Sequence, residues 1–225
     1  MRAMPHRTLI VVALAGVFAG AAPASAKVVE VGSTDAAPAC PASPCLAVSR
    51  TTGYQIKVGD ARGAFTVPAD GKIVAWSIAL GKPNKAQVAY FQKYFGGSAS
   101  ARLTVLHQGT KLFSRVVTQT RTQSLTPYFG QTVQFPLGRA LNVKKGYVIA
   151  LTVPTWAPAL TPLLTDKSAW RASRAEGKCN DTSTQTAQAV LKNVVQYRCL
   201  YKARLIYSAT LITRPAPTPA ATGGR

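Results

Sequence analysis

Acid is scarce in this chain. Seven Asp and Glu stand against 27 Lys and Arg, giving a formal charge of +20 over 225 residues. The shortage limits catalysis first. Glycoside hydrolysis ordinarily needs two carboxyl groups about 5 to 10 Å apart, and five of the seven acids have a structural task in the sequence. Asp60 and Asp70 stand in the turn signals Val58-Gly59-Asp60 and Pro68-Ala69-Asp70-Gly71. Asp181 follows Cys179 in a loop-like stretch, and Glu30 and Asp35 belong to an extended N-terminal segment. Asp166 and Glu176 remain without one, and neither occurs in a catalytic motif.

Histidine is rarer still. Beyond the first 26 residues, His107 is the sole one. Ser-His-acid catalysis needs such a base, but His107 ends the alternation Leu103, Val105, His107 just before Gln108-Gly109. That pattern reads as a partly exposed side chain at a hairpin mouth. No G-x-S-x-G elbow accompanies it. No catalytic, cofactor-binding or metal-binding residue is assigned, and no cofactor is expected.

Long apolar runs are also missing, with one exception. Leu9 to Ala22 is almost free of polarity, Arg2 and Arg7 precede it, and Ala24-Ser25-Ala26 offers an A-x-A cleavage site. This is the layout of a secretory signal peptide. A membrane anchor needs about 20 apolar residues, more than this run provides. Residues 1–26 are therefore read as a signal peptide cleaved after Ala26, and a secreted or cell-surface-associated product is expected. Cleavage leaves no Cys at the new N-terminus, and removal of Arg2 and Arg7 takes the formal charge from +20 to +18.

Cysteines are few but even in number: Cys40, Cys45, Cys179 and Cys199. In an exported protein this pattern means disulfides. Of the three connectivities, 40–45 with 179–199 is preferred, since each pair encloses loop-like sequence. A zinc site fails on spacing, because the second pair is too wide for a C-x₂₋₄-C half-site.

The remaining Lys and Arg are spread from Lys27 to Arg225 and form no run. Such a surplus attracts polyanions, while no nucleic-acid-binding motif points to specific recognition of that kind. Partners are expected among anionic extracellular polymers or glycans.

Residues 27–44 read as an extended lead, and 214–225, rich in Pro, Ala, Thr and Gly, as a disordered tail. Between them, over 45–213, apolar residues alternate with period two. Tyr54, Ile56 and Val58 oppose Gln55 and Lys57, and Val133, Phe135 and Leu137 oppose Thr132 and Gln134. Tyr147 to Val153 is apolar on both faces and reads as a central, covered strand. Further strands are expected at 63–67, 73–80, 101–107, 112–119, 169–174, 194–201 and 203–213. Turn signals separate them, no βαβ rhythm or internal repeat appears, and the pattern predicts an all-β sandwich. One short helix is predicted at about 84–95, capped by Asn84, lined by Val88, Phe91 and Phe95, and stopped by Gly96-Gly97.

Among the aromatics, Trp76 and Trp170 fall on strand faces and read as packed. Trp156, in Pro154-Thr155-Trp156-Ala157-Pro158, and Tyr128 and Phe129, after Pro127, fall in apparent loops. They are the expected binding surface.

The stretch from Phe65 to Trp76 (FTVPADGKIVAW), with Ala101–Leu106 and Val143–Leu151, resembles a family of exported actinobacterial proteins of unknown function. The resemblance spans roughly residues 60 to 155 and implies a jelly-roll-like β-sandwich. It carries no activity with it. The expectation is an exported, non-catalytic β-sandwich that associates with anionic cell-surface polymers or glycans. A structural subunit of an extracellular assembly is the alternative, and a secreted hydrolase using His107, Asp166 or Glu176 a more distant one.

Overall fold

The computed structural model describes residues 25–161, 167–174, 176–181 and 190–215. The expected signal peptide as far as residue 24, Asp166 and the tail from residue 216 lie outside them. The strands are β1 (Val28–Ser33), β2 (Val48–Val58), β3 (Ala61–Arg62), β4 (Gly71–Ala79), β5 (Ser100–Gln108), β6 (Phe113–Gln119), β7 (Gln123–Ser124) and β8 (Thr132–Val143). They continue with β9 (Val148–Ala157), β10 (Leu160–Thr161), β11 (Ser168–Ala172), β12 (Val194–Gln196), β13 (Cys199–Tyr201), β14 (Arg204–Leu205) and β15 (Tyr207–Thr213). One helix, α1 (Lys85–Phe95), interrupts them.

Every ladder is antiparallel. The small sheet runs β1-β15-β4-β8, and the large one β12-β6-β5-β9-β2-β11-β13. Early and late strands interleave in both, with β1 beside β15 and β2 beside β9. Two four-stranded sheets ordered in this way, β1-β15-β4-β8 over β2-β9-β5-β6, are a jelly roll. The expected architecture is therefore the observed one, with β11, β12 and β13 added at the edges of the second sheet.

The main core lies between the sheets, where Trp76 and Ile78 of β4 and Tyr207, Ala209 and Leu211 of β15 meet Leu103, Val105, Ile149, Leu151 and Val153. Period two holds along β4 except at one extra residue. Thr210 pairs with Ala75 and Leu211 with Ile73, so Val74 is a bulge, and Ile73 rather than Val74 joins Trp76 in the core. Gln55 also faces inward, and its amide is fully used. Nε2 donates to the carbonyls of Lys57 (3.0 Å) and Ala203 (3.1 Å), and Oε1 accepts from the Leu205 amide (2.9 Å).

Both faces of β9 are covered, as its apolar run on both faces predicts. Val148 and Ala150 join Tyr54, Leu106, Val116, Val195 and Tyr197 in a second core on the face turned away from the small sheet. The strand order explains how that face is sheltered. β12 and β13 occupy opposite edges of the seven-strand path, yet only Tyr197 and Arg198 separate them. Three peptide units span at most about 11 Å, so the large sheet must curl until its edges nearly meet. Tyr197 bridges the gap, its ring 5.2 Å from that of Tyr54, and Arg171 donates to the carbonyls of Tyr197 (3.3 Å) and Arg198 (3.2 Å).

Three expectations need correction. The lead at 27–44 is not outside the domain: Val28–Ser33 forms β1 and pairs along its length with β15. The stretch 63–67 is not a strand and makes a single bridge, from Thr66 to Val148. The strand expected at 194–201 is divided into β12 and β13 by the chain's passage between sheet edges.

Helix α1 forms as predicted. Asn84 Oδ1 accepts from the Gln87 amide (2.9 Å), and Gln87 Oε1 accepts from the Asn84 amide (2.8 Å). This reciprocal box satisfies two backbone donors at the helix start. Gly96, at φ 77°, ends the helix in a conformation that favours glycine. Both preferred disulfides are present, Cys40–Cys45 and Cys179–Cys199, with Cα separations of 4.4 and 5.3 Å. Among the described residues, no helix is long and apolar enough to cross a membrane.

Candidate functional site

Trp156 is not on a loop. It lies in β9, is fully buried, and packs its ring 4.9 Å from Phe91 and 5.6 Å from Phe129. Its Nε1 donates to the Gly97 carbonyl at 3.1 Å. Pro154 suggested a loop because proline removes a ladder hydrogen bond, but the β2–β9 ladder shifts register between Ser49 and Thr51, next to it. Proline is tolerated at such an irregularity. Tyr128 and Phe129 lie at the end of a single 3-10 turn and are half-buried. Tyr128 meets Phe135 edge-on at 5.5 Å. Trp156 is therefore part of the core, while Tyr128 and Phe129 pack half-buried against it.

That packing supports an aromatic surface one layer further out. Val88, Phe91 and Phe95 turn towards the core, so Tyr90 and Tyr94, four residues apart, share the outer face of α1. They are 55% and 46% exposed, with ring centroids 4.6 Å apart. Lys93 Nζ stands 5.3 Å from the Tyr94 ring centre, within reach of its π face. Below the tyrosines, Phe91 stacks on Phe95 at 5.8 Å and rests on Trp156. The platform is thus anchored to β9 through three aromatic layers.

A cleft of about 660 Å³ runs beside this face, between α1 and the first disulfide loop, with Pro44, Leu46, Ala47, Tyr90, Phe91 and Phe95 along it. The Cys40–Cys45 bridge closes the loop, and Gln87 Nε2 ties it to the helix through the Pro41 carbonyl at 3.1 Å. Arg50 Nη1 reaches the Phe95 carbonyl at 3.4 Å, placing a cation at the other end. The spacing of Tyr90 and Tyr94 off the apolar stripe was visible in the sequence.

The electrostatics of this half are one-sided. No acid occurs between Asp70 and Asp166, whereas Lys82, Lys85 and Lys93 lie on or beside α1 and are exposed. A second cleft, of about 490 Å³, separates the β6–β7 connection from a bulge of β8 at residues 136–141. Arg121 and Arg139 flank it, with the side chains of Gln119 and Gln123. Guanidinium and amide groups of this kind suit carboxylate, sulfate or phosphate.

Four of the acids are occupied elsewhere. Asp70 Oδ1 accepts from the Lys145 amide at 2.8 Å, as befits a turn residue. Glu30 accepts from the hydroxyls of Ser208 and Thr210, and Glu176 pairs with Arg198. The Ser33 hydroxyl, with Arg204 beside it, holds the Asp35 carboxyl below the usual carboxylate range. His107 is exposed at the end of β5, its ring 5.3 Å from Tyr147. Among the described residues, no group of three His, Cys, Asp or Glu is placed to hold a metal ion. Comparison with known proteins found no matching family model, no similar curated protein and no similar solved structure.

Proposed function

We propose that the protein is an exported, non-catalytic β-sandwich that associates with anionic cell-surface polymers or glycans. The observation that carries this reading is the exposed Tyr90–Tyr94 pair on a helix without acids, above a cleft and beside Lys93. Tyrosine rings offer apolar faces to pyranose rings while their hydroxyls stay in water. Lysines beside them attract carboxylate, sulfate or phosphate on the same polymer. Export rests on the first 26 residues of the sequence, and two disulfides are compatible with an oxidising compartment.

The test is retention on purified bacterial walls and on sulfated and uronate-bearing polysaccharides at low and high salt. Retention at low salt that weakens as salt screens the charges is expected. Tyr90→Ser with Tyr94→Ser should weaken binding by about tenfold or more, the factor that loss of 1.4 kcal/mol at an interface gives. Absence of retention at low ionic strength, or retention indifferent to the tyrosines, would remove this reading.

A further inference from the structure

At the far end of the large sheet, two turns present aliphatic side chains to solvent together with cations. In the β5–β6 hairpin, Phe113 N–H donates to the Thr110 carbonyl at 3.0 Å, so Lys111 and Leu112 occupy the turn's two central positions. Both have positive φ, 51° and 65°, the conformation for which hairpins ordinarily use Asn-Gly. The second turn precedes β12. Asn193 N–H donates to the Val190 carbonyl at 3.0 Å, and Lys192 has φ 71°. Backbone bonds join Lys192 and Asn193 to Val116 of β6, while Val194 pairs with Arg115. The two turns therefore lie along the same strand.

Leu112, Phe113, Val190, Leu191 and Val194 are each between 39% and 55% exposed. Five large apolar side chains, in two turns at opposite ends of the three-residue β12 and in the strands beside them, are not what water selects. Lys111, Arg115 and Lys192 accompany them, and among the described residues the acid brought near is Glu176, which is paired with Arg198. Folding strains the backbone at three non-glycine positions here, at about 1 kcal/mol or more each, and the result is to display two lysines and a leucine.

We propose that these two turns form a docking site for an anionic lipid surface, independent of the Tyr90–Tyr94 face. The choice of lipid over polysaccharide follows from the side chains. Four of the five, Leu112, Val190, Leu191 and Val194, are aliphatic and offer no ring face to a sugar, Phe113 being the exception, and each of the five gains by entering the boundary between headgroups and acyl chains. Their cations sit where lipid phosphates lie, and each contributes to attraction at a negatively charged leaflet. Neither the apolar nor the basic half alone gives firm attachment; together they supply two signals.

The experiment is flotation of the exported chain with vesicles of pure phosphatidylcholine and of phosphatidylcholine mixed with phosphatidylglycerol. Binding to the mixed vesicles is expected, with little to the neutral ones. Leu112→Asp with Leu191→Asp should reduce it by about tenfold or more, since charge replaces aliphatic surface at the interface. Aspartate tolerates the left-handed backbone at position 112, and a thermal melt checks that the variant folds. If it does not fold, Lys111→Glu with Lys192→Glu gives the same reading through the charge. Soluble polyphosphate tests the rival anion source: binding to it that both variants leave intact, with no vesicle binding, overturns the proposal. So does vesicle binding unchanged in both variants. Tyr90→Ser with Tyr94→Ser should float as the parent does, so failure here and failure of the glycan reading are told apart.

Discussion

Tyr197 and Tyr207 are both buried phenols, and they differ in what their hydroxyls meet. Tyr207 donates to the Ile149 carbonyl at 3.0 Å in the main core. Tyr197, in the second core, has no hydrogen-bond partner for its hydroxyl among the described residues. A buried polar group without a partner costs about 1 to 3 kcal/mol, whereas a satisfied one contributes about 1 kcal/mol. Tyr197→Phe is therefore expected to leave stability unchanged or raise it by about 1 kcal/mol, and Tyr207→Phe to lower it by about the same. Denaturant titration of the two variants measures both. Burial pushes both phenols above their ordinary value of 10.0. Above pH 10 the unfolded chain releases protons that the native state retains, so stability falls as pH rises through and beyond that value. Below it these groups contribute no pH dependence. The alkaline loss should be shallower in Tyr197→Phe, where one of the retained protons is gone. An alkaline limb of equal slope in parent and variant would show that Tyr197 ionises freely.

Among the elements, α1 shows how local signals and tertiary packing divide the work. Asn84, the apolar stripe and Gly96-Gly97 fixed its limits from sequence, because caps act within one turn. Position relative to the sandwich was not local. Trp156 reads as a loop residue beside two prolines, and only the register of β9 against β2 reveals it as the floor under Phe91. The Val74 bulge was hidden for the same reason, since a one-residue insertion matters only against its partner strands. These roles predict opposite phenotypes for two aromatic replacements. Trp156→Ala should cost about 3 to 5 kcal/mol, the usual range for a large core side chain. Tyr90→Ser should shift the unfolding midpoint little, because its ring is largely in water. Circular dichroism melts of the pair make the comparison, and equal losses would contradict the layered arrangement.

For the molecule as a whole, alternation and turns made the sandwich legible, and spacing made the disulfides so. The strand partners were not legible. Period two tells which face a residue takes and is silent on which strand lies alongside, so neither the curling of the large sheet nor the pairing of β1 could be read. The two staples act at this scale. Cys179–Cys199 closes a separation of 20 residues and Cys40–Cys45 one of 5. Chain-entropy arguments assign about 3 kcal/mol to the former and about 2 kcal/mol to the latter. Replacing Cys179 and Cys199 by serine should thus lower stability more than replacing Cys40 and Cys45, as urea unfolding under non-reducing conditions would show. The reverse order would mean that the short loop has a larger share in holding α1 than its length implies.

The pairing of β1 with β15 carries a consequence in time. A ribosome makes Val28–Ser33 early and Tyr207–Thr213 near the end of the described chain, and β15 also supplies the neighbour that joins β1 to β4. Until those last residues emerge, the small sheet lacks its second strand and the main core lacks Tyr207, Ala209 and Leu211. Such contacts between distant parts of a sequence form slowly in any case. The small sheet accordingly closes last, and a chain stopped before Tyr207 leaves β1 and β4 with unpaired edges.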